Sequence, residues 1–117
     1  MKTFEELNIW KVSKDLCVKV YALNNSKYLR DFGFKDQLQR ASLSVMSNIA
    51  EGFERSGNKE FVKFLYYSKG SIGEVRSLLS LAIELKYIEK VKFDLLHSIC
   101  PDLSKQIANF IKYLRNH

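Results

Sequence analysis

The sequence predicts an all-α protein that folds as an antiparallel, up-down-up-down four-helix bundle. Three observations lead to this prediction. Apolar residues recur at spacings of three and four in four separate segments, which is the period of an amphipathic helix. Short polar connections join these segments, and no segment shows the strict alternation that is typical of a strand. The length of 117 residues, with 46% apolar and 27% charged residues, indicates one globular domain over residues 1–117.

The first helix is predicted to begin near Thr3, because Thr3 followed by Glu6 fits a capping box. It is expected to continue to about Asn24. Its apolar residues form two adjacent stripes, whereas a surface helix typically shows one. We therefore expect one stripe to face the bundle and the other to face something outside it. The first stripe contains Leu7, Trp10, Cys17 and Tyr21, and the second contains Ile9, Val12, Leu16, Val20 and Leu23.

The second helix follows a polar connection at residues 24–34, and its apolar positions run from Phe34 to Phe53. Its other side carries small polar residues, which allow a neighbouring helix to approach closely. Gly52 and Gly57 both suit a helix C-terminus, so a joint is predicted between them. The small polar residues are Ser42, Ser44, Ser47 and Asn48.

The third helix is predicted to begin with Asn58 as its N-cap. It has the most regular apolar pattern in the chain, a heptad seam with alternating spacings of four and three. Gly70 and Gly73, near Ser68 and Ser71, predict a tight helix crossing, with a break in the helix as the alternative. The seam contains Phe61, Leu65, Ser68, Ile72, Val75, Leu79 and Ala82.

The fourth helix is predicted after a short turn at residues 86–90. Pro101 lies inside its apolar pattern. Because proline removes a backbone donor and clashes with the preceding turn, we expect a kink near Pro101, or two helical pieces that meet near Cys100. Its apolar positions are Leu96, Ile99, Leu103, Ile107, Phe110 and Leu114.

The charge is basic, with 19 Lys and Arg against 13 Asp and Glu, a net charge of +6 at pH 7. This excess favours anionic partners such as nucleic acid, although a basic surface can also serve solubility alone. The N-terminal segment lacks the apolar core of a signal peptide, and no apolar run is long enough to span a membrane. We therefore expect a cytoplasmic protein without a membrane partner.

No catalytic constellation is visible in the sequence. Glu51 and Glu54 lie three residues apart, but no ExxH partner accompanies them. His97 and Cys100 have one-turn spacing and Cys17 could add a third metal ligand, yet a structural zinc site requires four ligands. We therefore predict no catalytic residue, no metal site and no cofactor, and we do not expect an enzyme.

Two basic patches are the candidate nucleic-acid-binding sites. Cations can contact phosphates, and an exposed base can stack on tyrosine. The alternative is that the cations only keep the helix surfaces soluble and that the tyrosines pack at an interface. The first patch contains Arg55, Lys59, Lys63, Tyr66 and Tyr67, and the second contains Lys105, Lys112 and Arg115.

A resemblance to a known family is carried by two segments, FEELNIWKVSKDLCVKVY and FKDQLQRASLSVMSNIAEGFERSGNKEFVKFLYYSKGSIGEV. They resemble the four-helix-bundle proteins that are encoded in intervening sequences of bacterial 23S ribosomal RNA genes. The accessory variability proteins of diversity-generating retroelements share the same fold. The SNIAEG core followed by KEF and FL is the most specific part. One departure is Met46, where the family motif commonly carries a proline.

The resemblance implies a homo-oligomer, a ring of five subunits, without a known enzymatic activity. The retroelement relatives bind nucleic acid and a reverse transcriptase through basic surfaces. In this interpretation Asn48, Glu51 and Gly52 form a structural joint, in which Asn48 and Glu51 satisfy backbone groups or pair with Arg40 or Arg55. A direct role of these residues in binding a ligand is the alternative.

These observations lead to two functional hypotheses. The first is a non-enzymatic homo-oligomer that binds RNA or DNA, or a nucleic-acid enzyme such as a reverse transcriptase, through repeated basic surfaces. The second is a structural or protein-partner module in which the basic charge only maintains solubility.

Overall fold

The computed structural model describes residues 2–117, which form a bundle of four long helices and one short helix. A 3₁₀ turn precedes them, and residues 2–117 contain no strand. The all-helical fold predicted from the sequence is thus confirmed. The elements are the 3₁₀ turn Phe4–Glu6, α1 (Asn8–Tyr21), α2 (Ser26–Arg30), α3 (Phe32–Glu54), α4 (Asn58–Glu84) and α5 (Lys90–Arg115).

Each long helix packs against two others, in the cyclic order α1, α3, α4, α5. Contacts between α3 and α4 show that the two helices run in opposite directions. The side chain of Ser71 donates a hydrogen bond to Ser44 Oγ at 2.9 Å, whereas Gln37, earlier in α3, bonds Glu74, later in α4. Ser44 therefore faces α4 and Ser42 contacts Cys17 of α1, as expected for small residues beside a neighbouring helix, whereas Ser47 is exposed.

The core is one apolar cluster that runs through all four long helices. The heptad seam predicted for the third helix is confirmed, because all seven of its residues on α4 are buried. Ser68 is the polar member of this seam, and its hydroxyl donates to the carbonyl of Val45 at 2.7 Å. Burial therefore leaves no unsatisfied hydroxyl at this position.

The start of the first helix differs from the prediction. Thr3 caps only the 3₁₀ turn and its side chain makes no capping hydrogen bond, while α1 begins later, at Asn8. The carboxylate of Glu6 accepts instead from the backbone N–H of Lys2 at 2.9 Å. The predicted capping box is therefore wrong, because the chain turns in 3₁₀ geometry before the helix starts. The helix also ends at Tyr21 rather than at about Asn24.

The two apolar stripes of α1 pack mainly inside the subunit. Leu7 and Cys17 of the first stripe are buried, as are the second stripe's residues apart from the half-buried Val12. Tyr21 is the member of either stripe that stays clearly exposed, at 48%. The prediction that one whole stripe faces outside the bundle is wrong, because α1 contacts both α3 and α5 and so needs a wide apolar face.

The connection predicted at residues 24–34 contains a short helix, α2, and the first residues of α3. Asn25 caps α2, since its side chain accepts from the backbone N–H of Lys27 at 2.9 Å. Asp31 caps α3 in the same way, accepting from the N–H of Phe34 at 3.1 Å. Short polar side chains that favoured a loop in the sequence thus serve as helix caps.

The joint between the second and third predicted helices lies at residues 55–57. Gly52 does not end α3 but lies inside it, and Gly57, with φ of 85°, precedes α4 as its N-cap residue. Asn58 is therefore the first residue of α4 and not its cap. Its side chain donates to the carbonyl of Leu114 at 3.2 Å, which ties the start of α4 to the end of α5.

The helix breaks considered near Gly70 and near Cys100 do not occur. The close approach of α4 to α3 is made by Ser68 and Ser71, whereas Gly70 and Gly73 face open space, since a Cβ added to either would meet nothing within 4 Å. The helix continues through both glycines. α5 likewise runs without interruption through Pro101, so it is not two pieces; the kink near Pro101 stays a prediction. Pro101 is exposed, where water can reach the carbonyl that lacks its helical donor.

No helix within residues 2–117 is long and apolar enough to cross a membrane.

Candidate nucleic-acid interface

A basic groove lies between the first half of α4 and the last turns of α5. Two adjoining cavities of about 460 and 410 Å³ form it, and both are lined by Tyr66 and Arg115. The antiparallel packing of α4 and α5 places Lys59, Lys63 and Tyr66 of the first predicted patch beside Lys112 and Arg115 of the second. We call this surface the α4–α5 groove, and its charged and aromatic residues are Lys59, Lys63, Tyr66, Lys69, Lys112 and Arg115.

The floor of the groove is apolar. Val62 and Ile111 are buried, and Leu114 and Ala108 lie beside them. The cations stand around this floor on the exposed sides of both helices. Such an arrangement suits a ligand that carries negative charge on its outside and flat apolar surface within.

The electrostatics of the groove are one-sided. In the part of the chain that the structure describes, no Asp or Glu lines either cavity. None of the five groove cations belongs to the four ion pairs found within residues 2–117, which join Lys19–Asp15, Arg40–Asp36, Arg55–Glu51 and Lys90–Asp94. Five positive charges therefore converge without an internal counter-charge, which raises the local attraction for anions.

Tyr66 lies at the centre of the groove and remains 46% exposed. The guanidinium carbon of Arg115 lies over its ring, 5.4 Å from the ring centroid. This cation–π contact joins a residue of the first predicted patch to one of the second. It also holds the Arg115 side chain along the groove.

Arg55 and Tyr67, which the sequence analysis placed with Lys59 and Lys63, lie on a different surface. Arg55 follows the last residue of α3 and pairs with Glu51 at 2.9 Å, and its guanidinium carbon lies 5.0 Å from the ring centroid of Phe64. Tyr67 packs edge-on against the same Phe64 ring, with centroids 5.5 Å apart. The expectation of one stripe from Arg55 through Lys63 is wrong, because α4 begins only at Asn58.

Lys69 is the groove cation that the sequence analysis missed. It lies three residues after Tyr66 on α4, so helical spacing could have identified it. Lys105 is exposed on α5, two turns before Lys112, but it lines neither cavity. The groove therefore gains one lysine relative to the predicted patches and leaves another on its outer margin.

The three residues of the predicted joint lie in the last turns of α3. The Asn48 side chain donates to the backbone carbonyl and to the hydroxyl of Ser44, at 2.9 and 3.0 Å. Glu51 pairs with Arg55 and not with Arg40. Gly52 is buried, and a Cβ there would lie 2.7 Å from the Cβ of Phe64. All three side-chain positions thus have partners inside the subunit.

The possible metal ligands considered in the sequence analysis are His97, Cys17 and Cys100. His97 stacks on Phe93 with ring centroids 4.8 Å apart, and Cys17 and Cys100 are buried free thiols on different helices. Across residues 2–117, no group of three or more His, Cys, Asp or Glu side chains is placed to hold a metal ion.

Comparison with known proteins places this geometry in a family context. The model of a family described as 23S rRNA-intervening sequence protein matches residues 5–109. The fold is similar to the crystal structure of a protein with unknown function from the S23 ribosomal protein family of Bacteroides thetaiotaomicron VPI-5482. That structure is 21% identical in sequence, covers 89% of this chain and 98% of its own, and superposes with a TM-score of 0.81. No curated protein matches the chain significantly.

Proposed function

Because this chain belongs to the family of 23S rRNA-intervening sequence proteins, we propose that it is a homo-oligomer that binds RNA or DNA through the α4–α5 groove. The observation that carries the proposal is the convergence of five unpaired cations around Tyr66. No catalytic step is assigned to the groove or to any other residue. The groove holds its ligand by charge and contact alone.

Phosphates supply most of the binding free energy in this proposal. A lysine or arginine that contacts a phosphate releases condensed counterions, so the affinity falls steeply as salt rises. Cations that already form an ion pair, such as Arg55 with Glu51, would first have to give up that partner. The unpaired groove cations have no such cost, and they are therefore the residues expected to contact the backbone.

Assembly would multiply the effect of a single groove. Several copies in one particle present several grooves, so a long strand that binds one groove meets the next at high effective concentration. We propose a ring of five subunits, which is the assembly that the family resemblance implies. A nucleic-acid enzyme such as a reverse transcriptase is then a partner that could be recruited to the same strand.

The experiment measures binding at several salt concentrations, with fluorescence anisotropy as the readout. The ligands are a short mixed-sequence RNA strand and the matching DNA duplex. The double variant Lys63→Gln/Lys112→Gln is expected to bind more weakly and to lower the slope of log K against log salt by about 2, roughly one for each lost phosphate contact. If the wild-type protein binds neither the RNA strand nor the DNA duplex at low salt, the proposal is refuted.

A matched control uses two exposed lysines from the opposite end of the bundle. The variant Lys27→Gln/Lys92→Gln makes the same change in net charge but leaves the groove intact. Its slope should stay within about half a unit of the wild-type slope, if contact and not overall charge decides binding. Equal losses in both double variants would mean that the groove has no special role.

The second candidate function is a protein-partner module, favoured by the apolar side chains exposed at the other end of the bundle. Phe32 is 73% exposed and Val91 is 79% exposed, both far from the groove. A pull-down from nuclease-treated extract separates the two functions. Partners that persist after nuclease treatment support this candidate, and partners that disappear support nucleic-acid binding.

A further inference from the structure

We infer that the α4–α5 groove takes unpaired, single-stranded nucleic acid, with one base stacked on Tyr66, and that it discriminates against a duplex. This inference rests on the proposed function, because it specifies the kind of nucleic acid that the same groove binds.

The position of Tyr66 is the first argument. Tyr66 and Arg115 are the residues that line both cavities, and Tyr66 is 46% exposed to solvent. Arg115 lies over the ring, so the guanidinium and the exposed part of Tyr66 together form a positively charged stacking platform. A base has an apolar face that stacks well on such a platform, whatever its sequence.

The shape of the groove is the second argument. Its floor is formed by Val62, Ile111 and Leu114, and the cations stand along its sides. In a duplex, the base faces are stacked on one another, and only base edges and phosphates are presented to a protein. An apolar floor with an exposed ring would then contact nothing suitable. In a single strand the bases can turn inward to the floor while the phosphates stay outside with the cations.

The spacing of the cations is the third argument. Lys59 and Lys69 lie ten residues apart on α4, which corresponds to about 15 Å along the helix axis. At about 3.4 Å per nucleotide in a stacked strand, this length serves roughly four nucleotides. Lys112 and Arg115 stand on the opposite side, on α5. Cations on both sides of the groove can contact the phosphates of one short strand segment, so the groove suits a single strand.

The test compares Tyr66→Ala with a tyrosine of nearly equal exposure outside the groove. Tyr21, on α1, is 48% exposed against 46% for Tyr66, so Tyr21→Ala is the matched control. Binding of each protein is measured by anisotropy with single-stranded RNA, single-stranded DNA of the same sequence, the DNA duplex, and an abasic strand of equal phosphate number. The RNA and DNA arms show whether a 2′-hydroxyl contributes.

The expected result is that wild-type protein prefers the single strands to the duplex. Tyr66→Ala should weaken single-strand binding about tenfold, in the range found for loss of one stacked base, and should weaken duplex and abasic binding much less, since those ligands lose only the orientation of Arg115. Tyr66→Phe keeps the ring and should bind as the wild type does. Tyr21→Ala should change nothing.

Three outcomes overturn the inference. The first is a wild-type protein that binds duplex as tightly as single strands, with Tyr66→Ala affecting neither. The second is an equal loss for all ligands in Tyr66→Ala and Tyr66→Phe, which would indicate a structural role for the hydroxyl. Both outcomes leave the proposed function intact. The third, no binding to any of the four ligands, removes the proposed function together with the inference.

Discussion

Gly52 shows how a single missing side chain permits a close contact between α3 and α4. A Cβ at this position would lie 2.7 Å from the Cβ of Phe64 and 3.0 Å from Cδ1 of Phe61. Neither atom is the flexible end of a long side chain, so the helices would have to separate. The small residue is thus required by the approach of α4 and not by a turn of the backbone.

The first prediction is that Gly52→Ala destabilises the protein by about 1–3 kcal/mol, the usual cost of overpacking, in spite of alanine's better helix propensity. Urea unfolding followed by circular dichroism measures it. Gly70→Ala is the control, because Gly70 lies in the same kind of helical backbone with open space around it. It should stabilise the protein by about 0.5–1 kcal/mol. If both variants change the free energy of unfolding in the same direction, the packing argument is contradicted.

Cys100 is a buried group that contributes to a dependence of stability on alkaline pH. Burial raises the pKa of its thiol from 9.0 to about 11. The neutral thiol is favoured in the folded state, so its contribution to stability is complete below about pH 9 and is lost as the pH rises toward 11. The loss at pH 11 should be on the order of 2 kcal/mol.

The second prediction is that Cys100→Ala flattens the fall in stability between pH 9 and 11, whatever it costs at neutral pH through the cavity it leaves. The difference between the wild-type and variant unfolding free energies, measured at several pH values, isolates this group from the tyrosines. A difference that does not change with pH would show that the thiol has the same pKa in the folded and unfolded states.

At the scale of elements, the α2–α3 junction is held by one carboxylate with two partners. Asp31 Oδ1 accepts from the backbone N–H of Phe34, and Oδ2 accepts from the hydroxyl of Tyr87 at 2.7 Å. Tyr87 belongs to the turn between α4 and α5, so this pair joins two connections at the same end of the bundle. Both hydrogen bonds lower the pKa of Asp31, and the bond from Tyr87 has the larger effect.

The third prediction concerns the acid side of the stability curve. Because the pKa of Asp31 is lowered in the folded state, its contribution is present above the usual carboxyl pKa of about 4 and is lost as the pH falls through the folded value. Asp31→Asn should therefore destabilise the protein at neutral pH, and the deficit should shrink in acid. Unfolding midpoints measured from pH 7 down to pH 3 test this. Tyr87→Phe, which removes the main cause, should weaken the same pH dependence.

α1 shows why a helix can be predicted correctly and its neighbours incorrectly. Its two apolar stripes were read as one face for the bundle and one for another subunit. In the structure both stripes lie against α3 and α5, which meet α1 from two sides. Periodicity gives the width of an apolar face, but it does not say how many neighbours share that face.

At the scale of the whole molecule, the α4–α5 groove and the largest exposed apolar side chains lie at opposite ends of the bundle. The α4–α5 groove occupies the end where α4 begins and α5 terminates. Exposed aliphatic and phenyl side chains are frequent at the opposite end, where α3 begins and α4 terminates; they include Leu29, Phe32, Leu85 and Val91. Copies that associate through the apolar end would keep their mutually repelling grooves apart and open.

The fourth prediction is that the protein sediments at about five times its chain mass of 13.7 kDa. Phe32→Glu/Val91→Glu should lower that mass, because charged groups at an apolar interface are costly to desolvate. Asn109→Glu, on the exposed side of α5, is the control and should leave the mass unchanged. A wild-type monomer at micromolar concentration would remove both the ring and the multivalency that strengthens the proposed binding.

The sequence by itself determined the all-helical class, the four long amphipathic segments and most of the core. The heptad seam of α4 is buried throughout, because helical periodicity depends only on spacing along one chain segment. The basic and aromatic residue types of the candidate site were also visible in the sequence. The caps were less predictable, since Thr3 and Asp31 have equally suitable side chains and only Asp31 caps an α-helix.

Only the tertiary structure decided which of these residues form one surface. It brought Tyr66 and Lys69 of α4 together with Lys112 and Arg115 of α5, and it placed Arg115 over Tyr66. The contact between Arg115 and Tyr66 joins residues 49 positions apart and depends on the axial register of α4 against α5. Spacing within a helix cannot encode that register, because it is set by how the side chains of two helices interlock in the core.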